Sequence, residues 1–246
     1  MALSLGVHKG ATGGGPTSAV TTTAGSTIIV AMMANDWDSG NVAPPTDSKG
    51  CTWTKVGSEY VAHSYDAYSK AVFYKNEGGA RGASHTLTMP VNGTILVQEI
   101  LGTAPYVDTV TTGVRDTSSP YQSNAYTPAV ADEILLALGI PDTTAAPVAY
   151  TWGDSFATTG DDVTNQDYWA CSLAYRVVSS VTSYIASLAI DGTVTGIGLQ
   201  VLGVRETLAA AAALTGTATA SITEADVRTG GKTIILTLTG DTFIAA

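Results

Sequence analysis

Charge is scarce in this chain. Asp, Glu, Lys and Arg make up 13% of its 246 residues, about half of the ~25% usual in globular domains. Cations are the scarcer sign, with 11 Lys and Arg against 21 Asp and Glu and a net charge of −10. No basic run occurs. The clustered cations that neutralise nucleic-acid phosphates are therefore missing, and no nucleic-acid partner is expected. Attachment to an anionic membrane surface is disfavoured for the same reason.

Cysteine is nearly absent too. Cys51 and Cys171 form no CxxC and no metal spacing, so the fold is not expected to depend on a disulfide. Both are read as buried free thiols acting as small hydrophobes, with pairing left open. The three histidines, His8, His63 and His85, stand far apart without an HxH or HExxH spacing. A zinc site therefore has no local signature, and each is read as a solvated or hydrogen-bonded structural histidine. There is no Gly-x-Ser-x-Gly elbow and no phosphate-binding P-loop, and no cofactor is expected. The apolar runs fall far short of the ~20 residues needed to cross a bilayer. Residues 1–15 hold one basic residue, Lys9, and no apolar h-region, so they do not read as a secretory signal.

What is present is a repeated order of strand-like segments. Ser26–Met32 is apolar and β-branched, and Trp53 sits in a Thr-Trp-Thr run. An aromatic strand starts near Tyr68, and Asn92–Gly102 ends the series. The same order returns at Asp132–Leu138, Trp152, Tyr168 and Asp191–Gly203. The landmark pairs Ile28/Ile134, Trp53/Trp152, Tyr68/Tyr168 and Gly102/Gly203 lie roughly 100 residues apart. About five strands per half are too few for two comfortable sandwiches. The expected fold is therefore all-β: one jelly-roll-like antiparallel β-sandwich built from two duplicated halves with a shared core.

Strands are expected near 26–34, 52–57, 67–75, 84–89 and 94–102, and again near 132–140, 148–152, 168–177, 183–190 and 195–205. Two more, near 106–113 and 121–128, link the halves. Asn92-Gly93 and Asp191-Gly192 read as hairpin-like turns, because both positions of such a turn tolerate positive φ. Residues 1–25 are Gly/Thr-rich and read as a short first strand or arm followed by a loop. The duplicated sandwich spans 26–206. An alanine-rich linker at 207–214 precedes a small C-terminal β extension at 215–246. Two or three strands are not a stable sheet alone, so the extension either joins the sandwich or pairs with another copy.

Candidate chemistry is thin. Asn35-Asp36-Trp37-Asp38-Ser39-Gly40 offers alternating oxygens in a Gly-containing loop, as a hard cation would want. It lacks the spacing and terminal Glu of an EF-hand, so an ordinary Asx-turn loop competes and no metal is assigned. Trp37 stands outside the repeat and, with Asp36, Asp38 and the loop residue Tyr65, makes the candidate binding surface for a sugar or a protein. Trp53 and Trp152 recur and are assigned to the core. The acidic residues Asp132/Glu133, Asp154 and Asp161/Asp162 fix no pair facing across a cleft, and no catalytic residue is assigned.

Three segments carry a resemblance. Gly25-Ser-Thr-Ile-Ile-Val-Ala31, Asp47-Ser-Lys-Gly-Cys-Thr-Trp53 and Val97-Gln-Glu-Ile-Leu-Gly102 resemble β-sandwich proteins encoded by tailed bacteriophages and prophages. Residues 222–243 resemble a segment of phage structural and tail-associated proteins. That group has no shared enzymatic activity, so the resemblance transfers no site residue. It implies a non-enzymatic virion structural protein on the particle exterior, either a capsid decoration or a tail or fibre component. Its partners would be other copies of itself and neighbouring virion proteins. It would be made in the host cytoplasm without a signal peptide and carried in the virion. The alternative is a carbohydrate-binding module recognising a host-surface glycan through its loop aromatics.

Overall fold

A computed structural model of the chain describes residues 3–13, 15–34, 43–62, 70–77, 80–102, 105–142, 149–160 and 170–206. All belong to the first of two units, Met1–Thr207 and Leu208–Ala246. The chain is all-β, and the described residues include no helix. In chain order the first strands are β1 (Ser4–Thr12), β2 (Val20–Thr22), β3 (Thr27–Ala34), β4 (Thr46–Asp47), β5 (Thr52–Val61) and β6 (Lys70–Glu77). They are followed by β7 (Gly82–His85), β8 (Leu87–Thr88), β9 (Gly93–Leu101), β10 (Pro105–Val110), β11 (Val114–Asp116) and β12 (Tyr121–Gln122). The last six are β13 (Glu133–Pro141), β14 (Ala149–Trp152), β15 (Ala157–Thr158), β16 (Ser172–Val178), β17 (Ser187–Asp191) and β18 (Ile197–Glu206).

Two large antiparallel sheets dominate. The first has the order β1-β9-β3-β6-β5, and the second runs β10-β18-β13-β16-β15, with β11 also on β18. Among the described residues, smaller sheets accompany them, β2-β7 and β4-β8 in the first half and β12-β17-β14 in the second.

The main core lies between the large sheets. Ile29, Ala31, Met33, Phe73 and Leu96 from the first pack with Ile134, Leu136, Leu138, Leu173 and Leu202 from the second. Alternate residues of the same strands face the other way. Ile28, Val30 and Met32 join Leu87 and Met89 in a second cluster. Leu135 and Ala137 join Tyr126, Phe156 and Tyr184 in a third. The central strands β9 and β13 are therefore buried on both faces, which explains why neither alternates cleanly between apolar and polar residues; β9 buries Gln98 and Glu99 as well.

Several expectations change in detail. Ser4–Thr12 is a nine-residue strand on the edge of the first sheet, paired with β9 from Ser4↔Leu101 to Thr12↔Thr94. Of the two alternatives, a short first strand or an arm, it is the strand, and it is longer than expected. Gly6, Gly10 and its polar residues weaken its strand signal, because an edge strand can be held by backbone hydrogen bonds to its neighbour. Asn92-Gly93 and Asp191-Gly192 do not close hairpins. β8 pairs with β4 while β9 pairs with β1 and β3, and β17 and β18 likewise sit in different sheets. Both turns carry the chain from one sheet to another, because a turn signal reports local φ and not the pairing partner.

The landmark pairs also need correction. Ile28 belongs to the outer cluster of the first sheet, whereas Ile134 faces the core between the sheets. Leu135, not Ile134, shares the facing of Ile28. Strand faces alternate with period two, so a one-residue error in alignment reverses the face. Gly102 follows β9, whereas Gly203 lies inside β18 opposite Leu135. The linker 207–214 and the extension 215–246 lie outside the described residues.

Candidate functional site

The loop between β4 and β5 is built around one carboxylate. Asp47 Oδ1 accepts from the backbone N of Lys49 (2.7 Å), and Oδ2 accepts from the backbone N of Cys51 (3.1 Å). Gly50 adopts φ +70° to close the turn, a left-handed conformation that favours glycine. The Trp53 indole then donates to Asp47 Oδ2 at 2.9 Å. The spacing of Asp47-Ser-Lys-Gly-Cys-Thr-Trp53 thus has a mechanical reason: aspartate caps the turn and tryptophan locks it to the outer cluster.

The sheet β2-β7 brings two more groups to this loop. His85, at the end of β7, is fully buried, and its Nε2 lies 3.2 Å from Asp47 Oδ1. That contact lacks hydrogen-bond alignment, and Nε2 has no hydrogen-bond partner. The other ring nitrogen, Nδ1, lies 3.0 Å from Thr22 Oγ1 on β2. The Thr22 hydroxyl in turn accepts from Gly82 N at 3.2 Å. Arg81 Nη1 donates to Cys51 Sγ at 3.2 Å, and Nη2 donates to the Ser26 carbonyl at 3.1 Å. Asp47, Cys51 and His85 place a carboxylate, a thiol and an imidazole within 4.8 Å of one another.

The protonation states follow from these contacts. Burial pushes the His85 pKa down, outweighing the nearby Asp47 charge, so the ring stays neutral. Burial works to raise the Asp47 pKa, but hydrogen bonds from Trp53, Lys49 and Cys51 and the neighbouring His85 hold the carboxyl below its ordinary value. Burial and the Asp47 charge push the Cys51 thiol up, against the opposing Arg81. A thiol with a raised pKa is a weak nucleophile.

Comparison with protein-family models, with curated proteins and with solved structures returns no match. Function therefore rests on the residues alone.

The residues singled out from the sequence are not the ones brought together. Asp36, Trp37, Asp38 and Tyr65 lie outside the described residues, as do His63, Asp161, Asp162 and Tyr168. Trp53 and Trp152 are each packed against an outer cluster, with the Trp152 indole donating to Ser172 Oγ at 2.7 Å. Neither cysteine is in a disulfide. Cys171 is buried in the central core as expected, but Cys51 is half exposed and held by Arg81 rather than by hydrophobic packing. His8 Nε2 lies 3.0 Å from Thr159 Oγ1, across the two halves. Glu133 is fully buried, accepting from Tyr126 Oη at 2.9 Å, and serves the fold.

A cavity of about 430 Å³ lies where β5 and β6 meet β10, bounded by Lys55, Gly57, Lys75, Asp108 and Val110. Its charges are already engaged. Lys55 pairs with Glu59 at 2.9 Å and Asp108 with Arg205 at 2.8 Å. Lys75 stands 5.6 Å over the Tyr106 ring, a cation–π contact. Sequence reasoning missed the Asp47–Cys51–His85 cluster because His85 is distant in sequence and enters through a different sheet. The one local clue was the Asp-to-Trp turn.

Proposed function

We propose that the chain is a non-enzymatic structural component of a bacteriophage virion. It is carried on the particle exterior, as a capsid decoration or as a tail or fibre subunit. It acts through sandwich contacts with other copies of itself and with neighbouring virion proteins. The observation that carries the architectural part of this reading is the strand path. In the first half β1-β9-β3-β6 form one sheet, while β2 pairs with β7, and β4 with β8. In the second half β10-β18-β13-β16 and β12-β17-β14 follow the same route. We read this path as the winding of a jelly roll with a reduced second sheet. We read the chain as two duplicated jelly-roll halves stacked through their large sheets, rather than one jelly roll divided between the halves.

Jelly rolls build capsid proteins and also lectins, and fold-level analogy does not choose between them. The virion reading gains support from the phage-like segments at 25–31, 47–53, 97–102 and 222–243 and from the low charge. The turn capped by Asp47 gives the second of these segments a structural role.

The test uses the full chain. Light scattering after size exclusion measures the oligomer, and a glycan array measures sugar affinity. A defined high-order oligomer without sugar binding supports an assembly subunit. A monomer that binds a glycan overturns it in favour of a host-surface adhesion module. Deleting 215–246 tests the extension separately. If the oligomer is unchanged, the extension is not the assembly device.

A further inference from the structure

We propose that Asp47 Oδ1, Cys51 Sγ and His85 Nε2 form a binding site for a zinc ion that staples the β4–β5 turn to β7. The inference is independent of the virion reading. It starts from the three donor atoms, which lie within 4.8 Å of one another. Such a spread needs only sub-ångström to ångström adjustments to place each at ~2.0–2.3 Å from a common centre. The donor set is one oxygen, one sulfur and one imidazole nitrogen. A borderline-soft divalent ion accepts that mixture, whereas calcium and magnesium want oxygen alone.

The second observation is the histidine. His85 is fully buried, and its Nε2 lies 3.2 Å from Asp47 Oδ1 without the alignment of a hydrogen bond. A buried ring nitrogen left this way costs free energy that a metal bond would recover. The opposite nitrogen is already arranged as metal-bound histidines require. Nδ1 lies 3.0 Å from Thr22 Oγ1, and the tautomer that donates Nδ1–H to that hydroxyl leaves the lone pair on Nε2 for a metal. The Thr22 hydroxyl is itself fixed by Gly82 N at 3.2 Å and faces the Gly82 carbonyl at 3.5 Å. Such outer contacts set the tautomer and ring orientation of ligating histidines.

Charge and access agree with this assignment. A thiolate and a carboxylate together offset the two positive charges of zinc. The Asp47 side chain is 1% exposed, so it is already desolvated and held by Lys49, Cys51 and Trp53. Cys51 is partly exposed, so the cluster is not sealed from solvent. Arg81 donates to Cys51 Sγ at 3.2 Å and supplies the positive charge beside the sulfur in the metal-free state. Zinc binding displaces the thiol proton and lengthens that contact.

The experiment uses the untagged full chain, stripped with a chelator and titrated with Co²⁺ as a spectroscopic probe and with Zn²⁺ as competitor. The expected result is a thiolate-to-cobalt charge-transfer band at one ion per chain, which Zn²⁺ abolishes. Zinc at one hundred times its Kd should raise Tm by roughly 5–10 °C. Cys51→Ser should remove the band and the Tm rise, and Cys171→Ser should keep both. Thr22→Val keeps all three ligands and should weaken Zn²⁺ binding by roughly 10–100-fold. His85→Gln should remove binding, with far-ultraviolet dichroism confirming the fold. Because Cys51 is half exposed, its serine variant decides the matter if the His85 variant does not fold. The proposal is overturned by a wild-type chain that binds Co²⁺ without a thiolate band or binds none. It is equally overturned if Cys51→Ser binds Zn²⁺ as tightly as the wild type.

Discussion

Replacing Gly203 by alanine tests the packing on the outer face of the second sheet. Gly203 lies in β18 opposite Leu135 of β13. A methyl group there would stand 1.8 Å from Tyr126 Oη, 2.4 Å from its Cζ and 2.8 Å from Glu133 Oε2. None of these atoms has room to retreat, since Tyr126 is 1% exposed and Glu133 fully buried. The ring must swing away and give up the 2.9 Å hydrogen bond from Tyr126 Oη to Glu133. Overpacking a close-packed core costs about 1–3 kcal/mol, and losing a hydrogen bond to a buried carboxyl adds about 1.5–3 kcal/mol. Gly203→Ala should therefore lose about 3–5 kcal/mol, with a Tm about 10 °C lower in a domain of this size. Urea unfolding followed by tryptophan fluorescence measures the loss. Tyr126→Phe removes the nearest clashing atom and the hydrogen bond together. The double variant should thus be more stable than the sum of the single losses predicts, by about 1 kcal/mol or more. A loss below about 1 kcal/mol, or strict additivity in the cycle, would refute this account of Gly203.

Further expectations concern the buried acids, the buried histidine and the shared core. Burial raises the Glu133 pKa above its ordinary value, so its contribution is intact below the unfolded value and lost as pH rises through the folded one. Glu133→Gln retains an acceptor for Tyr126 and should gain stability relative to wild type between pH 5 and pH 8, as read from the urea midpoint at each pH. The His85 pKa is lowered, so the unfolded chain binds the extra proton below its value of about 6.5 and stability falls as pH drops through that window. In chelator-treated protein, His85→Gln should flatten that part of the pH–Tm curve. Asp47→Ala removes the acceptor of three N–H groups and should cost about 2–4 kcal/mol, visible in thermal melts. Phe73→Ala, in the core between the large sheets, should cost about 3–5 kcal/mol and shift one cooperative calorimetric transition. A split into two transitions would show that the halves unfold separately.

The strand content was legible because β-branched and aromatic runs broken by Gly, Asn and Asp are a local signal. Ser26–Ala31 and Asp132–Leu138 announced β3 and β13 in that way. Pairing was not legible. Gly93 and Gly192 look alike as turn residues whether the next strand stays in the sheet or leaves it. The proposed equivalence of the two halves rests on an order of segments that is visible in the sequence, but a register between them was not legible. Nothing in either sequence states that Ile28 faces outward while Ile134 faces the central core. Ser4–Thr12 escaped emphasis because an edge strand is held by backbone hydrogen bonds to β9, which any sequence can supply.

The amino-acid sequence by itself determined that this chain is all-β, lightly charged, free of dense disulfides and lacking the local catalytic signatures. Composition and short-range pattern settle such properties. Only the tertiary structure decided which faces meet, that Tyr126 needs a glycine beside it, and that Asp47, Cys51 and His85 share one corner. The physical reason is separation along the chain. Asp47 and Cys51 come from one turn, His85 from another sheet and Thr22 from a third segment. Only burial of the large sheets on both faces presses those segments together.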